Sequence, residues 1–185
     1  MRSSAPKRLD AGKLMEYALR CLSGRAYSAG ELREKLRRRS ESATDLDGVL
    51  GKLKESGYLD DRRYAENFAT ARLENEGFGK MRVLRDLRQR RVAPAVAEQV
   101  VDRTFRETDE TELIQAFLER KYRTRPLPAF LAEEKNLASA FRRLRYAGFS
   151  AGNSIRVLKR YSRNEEALDS LESSEPDPRD AAPGS

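Results

Sequence analysis

The apolar residues of this chain repeat at a fixed spacing, and this repeat constrains the fold more than any other feature. A shift of 51 residues maps Leu22 onto Leu73 and Leu36 onto Leu87 without a gap. A further shift of 57 residues maps Leu87 onto Leu144. Segments of this size bury little surface alone, so tandem copies must share a core with their neighbours. We therefore predict three repeats, which cover residues 10–59, 60–106 and 107–162.

Each repeat is predicted to contain three helices, because the apolar spacing is helical throughout. The first helix shows the i, i+3, i+4, i+7, i+8 pattern of a one-sided helix, at Leu14, Tyr17, Ala18, Cys21 and Leu22. Ser28 stands three positions before Glu31, a capping-box pattern that predicts the start of a second helix. Gly57 follows the third helix and suits a left-handed stop. No window shows sustained strand alternation, so we predict an all-α, elongated and curved array.

The third repeat contains extra length after its first helix, which should run from Leu113 to Tyr122. The insertion falls around residues 125–128. Pro126 and Pro128 predict a loop there, because proline disfavours a helix interior.

Charge is divided unevenly along the chain. The net charge is +7, but residues 164–185 carry −6, which leaves +13 on residues 1–163. A body this basic attracts polyanions or acidic protein surfaces. The tail, residues 163–185, is rich in Ser, Pro, Asp and Glu and is predicted to be disordered. Two interpretations of the tail stay open, a solubilising polyanion or an autoinhibitory segment that folds back on the basic helices.

Several classes of chemistry lack their usual residues. The chain has no histidine, which removes the commonest general base and the commonest transition-metal ligand. It has no glycine-rich phosphate loop. The one cysteine, Cys21, occupies an apolar helical position and cannot form an internal disulfide, which fits a reducing cytoplasm. With no membrane-length apolar run and no secretory signal, we predict a non-enzymatic cytoplasmic protein without cofactor, metal or membrane partner.

The second helix of each repeat is rich in Lys and Arg, and these helices form the predicted binding surface. In the second repeat, Arg82, Arg85 and Arg88 recur every three residues, on the side opposite Val83 and Leu87. A row of guanidinium groups can grip phosphates or carboxylates with paired hydrogen bonds. The alternative is a solvated basic face. The predicted binding residues are Arg37, Arg38, Lys80, Arg82, Arg85, Arg88, Arg90, Arg91, Arg142, Arg143 and Arg145.

Aromatic residues for base stacking are few. Tyr27, Phe78 and Phe149 fall at repeat turns, and most others fall at core positions. Any contact with single-stranded or double-stranded DNA should therefore be made through phosphates, and it should weaken steeply with salt.

A short segment between the first and second repeats is predicted to be a structural junction. It comprises Gly57, Tyr58, Leu59, Asp60, Asp61 and Tyr64. Tyr58 and Leu59 can fill the seam between the repeats, and Asp60 or Asp61 can cap the next helix. A metal-binding or catalytic carboxylate pair is the alternative, but aspartates that precede a helix are usually caps.

The same junction carries a resemblance to a known family. The sequence GYLDDRRYA at residues 57–65, followed by GFG at residues 77–79 and a basic helix, resembles the hallmark of the RecX family. Residues 120–122 and 126–128 resemble the start of the third repeat of that family, and residues 141–149 resemble a later segment.

The resemblance runs from Leu14 to Tyr161, with one departure. Ala147 stands where the family usually has arginine, and Arg143 or Arg145 can compensate. The resemblance implies a monomeric protein that binds the groove of the RecA filament on DNA. It also implies a regulator, mainly an inhibitor, of RecA ATP hydrolysis, strand exchange and coprotease activity, and so a role in homologous recombination, DNA repair and the SOS response. A sequence-independent DNA-binding repeat protein and a scaffold for another acidic protein remain the alternatives.

Overall fold

The chain is all-α over the part that the structure describes. The computed structural model describes residues 8–161, and over these residues no strand is present beyond an isolated bridge between Leu9 and Ser40. The predicted fold class is therefore confirmed, whereas the predicted tail lies outside the described residues. The helices of residues 8–161 are α1 (Ala11–Gly24), α2 (Ala29–Arg37), α3 (Ala43–Glu55), α4 (Asp61–Glu74), α5 (Lys80–Gln89), α6 (Pro94–Thr104), α7 (Glu110–Lys121), α8 (Leu127–Leu131), α9 (Glu134–Ala147) and α10 (Ala151–Lys159).

Backbone contacts divide the chain into two compact units. Within the described residues, unit 1 comprises residues 8–71 and 84–104, and unit 2 comprises residues 72–83 and 105–161. The boundaries pass through α4 and α5. The partition into three repeats stays a prediction. Among residues 8–161, no helix combines the length and the apolar content that a membrane crossing requires.

Unit 1 buries the apolar stripe that the sequence predicts for its first three helices. Leu14 of α1, Leu32 and Leu36 of α2 and Leu53 of α3 are almost fully buried in one cluster. Burial of each such side chain stabilises the fold by about 1.5–3 kcal/mol. The predicted capping box is also confirmed, because the Ser28 hydroxyl accepts from the backbone N–H of Glu31 and the Glu31 carboxylate accepts from that of Ser28. These two bonds set the start of α2.

Unit 2 has a separate core in which aromatic side chains carry much of the volume. Phe141 and Phe149 are fully buried with Ile114 and Leu118 of α7 and Leu158 of α10. Phe149 also meets Phe117 edge to face, with ring centroids 5.5 Å apart.

The loop predicted around residues 125–128 is only partly correct, because residues 122–126 are non-helical whereas α8 begins at Leu127. Pro126 occupies the N-cap of α8 and Pro128 lies in its first turn. The first N–H groups of a helix have no partner within the helix, so proline loses nothing at these positions. The prediction treated both prolines as interior residues, although they stand at the start of a helix.

Unit 2 contains a joint in which two backbones are in direct contact. The backbone N–H of Gly79, just before α5, donates to the carbonyl of Ala147 at the end of α9, at 2.9 Å. The N–H of Met81 donates to the carbonyl of Gly148 at 3.1 Å. A Cβ atom added to Gly79 would collide with the backbone of Gly148, which itself has a left-handed φ of 93°. Glycine is therefore required on both sides of this joint.

Unit 1 contains a joint of the same kind between α2 and the end of α5. The Ser28 hydroxyl donates to the carbonyl of Arg90. A Cβ atom at Gly30 would collide with the backbone of Arg91, whose φ is 58°. In each unit, the start of one basic helix thus abuts the end of another.

Gly79→Ala should lower the free energy of unfolding by about 1–3 kcal/mol, because the methyl group must push the two backbones apart. Gly48→Ala in α3 is the matched control, since no atom lies within 4 Å of the added Cβ. Alanine there should stabilise the protein by about 0.5–1 kcal/mol through helix propensity. Urea denaturation followed by circular dichroism measures both changes. Equal effects of the two substitutions would contradict a tight joint.

Candidate functional site

The bases of α5 do not share one environment. The predicted row is divided between the units, because Arg82 belongs to unit 2 whereas Arg85 and Arg88 belong to unit 1. Arg85, Arg88 and Arg91 are exposed, whereas Lys80, Arg82 and Arg90 are half-buried. The bases of α5 therefore differ in their contacts and cannot act as one uniform row.

Arg82 is held between aromatic rings of unit 2. Its guanidinium carbon lies 4.7 Å from the ring centre of Tyr146 and 5.1 Å from that of Phe78. Contacts of a cation with a ring face contribute about 0.5–2 kcal/mol, depending on how far the cation is desolvated. Arg82 therefore fixes the position of Tyr146 as well as contributing positive charge.

Arg90 is a structural residue of unit 1. It donates to the Tyr64 hydroxyl at 3.1 Å, pairs with the Glu31 carboxylate at 3.5 Å, and stacks on the Phe68 ring at 4.8 Å. Burial raises the pKa of Tyr64, and the hydrogen bond from Arg90 acts in the opposite direction. Glu31 also pairs with Arg25 at 3.5 Å, so one carboxylate joins the start of α2 to two cations. Arg90 is committed to this cluster.

Other predicted binding residues pair with acids on the surface of unit 1. Arg37 and Arg38 both reach Glu34, at 3.1 and 3.5 Å. Arg88 reaches Glu98 of α6 at 3.2 Å. Acids of other helices thus oppose the bases of α5, because Glu31 belongs to α2 and Glu98 to α6. Exposed pairs of this kind contribute only about 0–1 kcal/mol, so a partner's carboxylate can replace the internal one.

In unit 2 the bases gather around an open groove of about 600 Å³, which we call the basic groove. It is lined by Phe78, Arg82, Phe117, Lys121, Ser139, Arg142, Arg143, Tyr146 and Ala147. Arg142, Arg143 and Lys121 are exposed, and within the described residues no acidic side chain lines the groove. Four cations thus face an aromatic floor, a combination suited to a ligand with both negative charge and apolar groups.

Arg145 lies outside the basic groove. Its guanidinium donates to the carbonyl of Phe149 at 2.6 Å, next to the end of α9. This contact stabilises the turn between α9 and α10. Of the three predicted bases of α9, Arg142 and Arg143 line the groove and Arg145 has a structural contact instead.

Lys121 and Tyr146 line the groove but are not among the binding residues predicted from the sequence. The Tyr146 side chain is 68% exposed, although most aromatic residues are predicted to be core. A signal for it exists in the sequence, because Tyr146 follows Arg142 by four positions and Arg143 by three, which places all three on one helical face. Lys121 carries no such signal, since its place in the groove depends on how α7 packs.

The junction residues make contacts within unit 1. Gly57 has a left-handed φ of 71°, which suits a helix stop, and Leu59 is buried in the core of unit 1. Asp60 accepts the N–H of Arg63 at 2.9 Å and so caps α4. Asp61 instead accepts the N–H of Ala29 at 2.7 Å, at the start of α2.

Tyr58 differs from the prediction that it fills a seam. Its side chain is 60% exposed, whereas neighbouring Leu59 enters the core of unit 1. Tyr64, by contrast, is half-buried and contacts Arg90 and Phe68. Among the described residues, no cluster of three or more Cys, Asp or Glu side chains could hold a metal ion.

Known proteins that resemble this chain agree on one family. The first RecX three-helix domain matches residues 15–53, and the second matches residues 60–101. Regulatory protein RecX of Thermus thermophilus is 36% identical over 145 residues, which are 78% of this chain and 89% of the relative. Regulatory protein RecX of Trichlorobacter lovleyi is 36% identical over 105 residues, 57% of this chain and 68% of the relative.

The chain belongs to the RecX family. Solved structures show the same fold. RecX from Lactobacillus salivarius superimposes with a TM-score of 0.63 at 18% identity, covering 82% of this chain and 96% of the other. A second RecX crystal structure gives a TM-score of 0.62 at 20% identity, covering 80% and 71%.

In this RecX chain, Glu31→Gln should lower the free energy of unfolding by about 1 kcal/mol, because Arg90, whose side chain is 33% exposed, loses its carboxylate. Glu34→Gln is the matched control. Its partner Arg37 is 65% exposed, so the loss should be smaller than that caused by Glu31→Gln. Chemical denaturation of both variants measures the difference. Equal losses would show that the Glu31 pairs act like ordinary surface pairs.

Proposed function

We propose that this chain regulates RecA, mainly as an inhibitor, by binding in the groove of the RecA filament on DNA. Binding there suppresses ATP hydrolysis, strand exchange and coprotease activity. Membership of the RecX family supports a regulatory role. The observation that carries the proposal is the basic groove of unit 2, where four cations and, among residues 8–161, no acid surround an aromatic floor.

The lining of the basic groove favours a protein partner. Arg142 and Arg143 can each bind a carboxylate with two parallel hydrogen bonds, because the guanidinium group matches the carboxylate geometry. Phe78 and Phe117 offer ring surface that suits an apolar side chain. An acidic protein segment with an apolar side chain can contact both the cations and the aromatic rings of the groove, whereas a phosphate backbone can contact only the cations.

Bases elsewhere in the chain add weaker contacts to the same partner. Arg37 and Arg38 pair with half-buried Glu34, and Arg88 pairs with exposed Glu98. Because all three guanidinium groups are exposed, a filament carboxylate can replace these acids. When one contact has formed, the next becomes intramolecular, so several weak contacts give useful affinity. In this proposal the three repeats, residues 10–59, 60–106 and 107–162, engage successive RecA subunits. The protein acts as a monomer in the cytoplasm, in recombination, DNA repair and the SOS response.

The test is RecA ATP hydrolysis on single-stranded DNA, titrated with substoichiometric amounts of this protein. Strong inhibition is expected. A Lys121→Ala, Arg142→Ala, Arg143→Ala variant should need about tenfold more protein, because three lost contacts of about 0.5 kcal/mol each sum to roughly one factor of ten. Arg106, Arg123 and Arg156 are exposed bases of unit 2 outside the groove, and their triple alanine variant is the control. Equal potency of the two variants would exclude the basic groove as the binding surface.

A second candidate function is direct, sequence-independent binding to DNA, and the exposed ring of Tyr146 favours it. An exposed aromatic ring beside arginines can stack on a nucleotide base while the cations contact phosphates. Electrophoretic mobility of single-stranded DNA, without RecA and over a range of salt concentrations, tests this function. A DNA clamp that neutralises four phosphates would lose affinity with a log–log slope of about −3. We expect the affinity for DNA alone to be much lower than that for the RecA filament. Tight DNA binding that weakens steeply with salt would instead favour the clamp.

A further inference from the structure

The basic groove suits an occupant that combines acids and apolar side chains in one short segment, and this chain contains such a segment. Residues 165–172 read Glu-Glu-Ala-Leu-Asp-Ser-Leu-Glu. The segment carries four carboxylates and no base, against the four cations that line the groove. Between its acids stand Leu168 and Leu171, the kind of side chain that an aromatic floor accommodates. The segment and the basic groove are thus complementary in charge and in apolar surface.

We propose that the basic groove of unit 2 is a docking site for residues 165–172 of the same chain. The carboxylates pair with Arg82, Lys121, Arg142 and Arg143, and the two leucines contact the aromatic floor. This proposal rests on the proposed function, in which the same groove binds RecA. The segment therefore competes with RecA for the groove. Docking of the segment therefore reduces inhibition until a filament displaces it.

The position of Tyr161, a few residues before the segment, supports this occupant. Tyr161 is the last described residue, and its hydroxyl accepts from Gln115 of α7 at 2.7 Å. The same helix supplies Phe117 and Lys121 to the groove. Gln115 and Phe117 point to different sides of α7, so the chain must pass around half the circumference of a helix, about 16–19 Å for a diameter of about 10–12 Å. Seven residues from Tyr161 to Leu168 span up to about 24 Å, which is sufficient.

Covalent attachment makes a weak contact effective. Each exposed ion pair is weak alone, but a short tether holds the segment near the groove at an effective concentration on the order of mM. The docked state should open as salt rises, because the pairs lie at the surface and are screened. A partner with higher affinity for the groove than the tethered segment then displaces it.

The first test measures the contact itself and requires no RecA. A nitroxide attached to Ser170→Cys, in a Cys21→Ser background of the full chain, broadens the NMR amide signals of residues close to it. We expect broadening at Ser139, Arg142 and Tyr146 in low salt and its loss in high salt. Unbroadened groove signals in low salt would overturn the proposal.

A pair of charge variants shows whether the groove bases cause the contact. Arg142→Glu with Arg143→Glu should abolish the broadening. Arg106→Glu with Arg123→Glu changes the net charge equally at exposed bases outside the groove and should preserve it. Equal loss in both variants would mean attraction to the net charge of the body, which overturns a specific site. Signal dispersion like that of the unaltered protein verifies that each variant is folded.

The second test measures the regulatory consequence. Replacing Glu165, Glu166, Asp169 and Glu172 with their amides should lower the protein concentration that half-inhibits RecA ATP hydrolysis by roughly three- to tenfold, because the competing segment is gone. Unchanged potency, with the nitroxide contact present, would overturn the competition while leaving the docking site intact. A protein that fails to inhibit in every form refutes the proposed function, and the NMR measurement still decides the docking on its own.

Discussion

The contact between the start of one basic helix and the end of another is the constraint on which each unit depends. In unit 2 the backbone of Gly79 meets Ala147 and Gly148 so closely that no side chain fits between them. In unit 1, Gly30 meets Arg91 in the same way. Backbone N–H and C=O groups at helix ends need hydrogen-bond partners, and here the start of one helix and the end of another supply them to each other. Because the spacing is fixed by backbone atoms, it also fixes which side chains of the two helices can meet.

This joint separates bases that hold the fold from bases that can bind. Arg90 lies beside the joint of unit 1 and is bound to Glu31, Tyr64 and Phe68. Arg145 lies near the joint of unit 2 and is bound to the carbonyl of Phe149. Arg142 and Arg143 of α9 line the basic groove instead. A helix rich in arginine is therefore no uniform binding surface, because some of its charges satisfy acids and carbonyls of the same molecule.

Sequence alone predicts the local features well and the groove poorly. Helical periodicity, the Ser28 capping box and the Gly57 stop depend on residues within four positions of one another, so one stretch of sequence contains the whole signal. The basic groove combines Arg82, Lys121 and Tyr146 from three helices that are distant in sequence. Which side of each helix faces the others depends on tertiary packing. The start of α8 is missed for a local reason. Pro126 and Pro128 predict a loop, although proline is equally suited to the first turn of a helix.

The resemblance implies an arginine at position 147, and the basic groove shows where the side chain at this position lies. Ala147 lines the basic groove at the C-terminal end of α9, so a longer side chain there would project into it. Arg143 and Arg145 are the two bases that the sequence offers in compensation. Arg145 is committed to the carbonyl of Phe149, whereas Arg143 lines the groove four residues before Ala147, on the same face of α9. Of the two bases, Arg143 is therefore the one placed to supply positive charge beside Ala147 in the proposed binding of RecA.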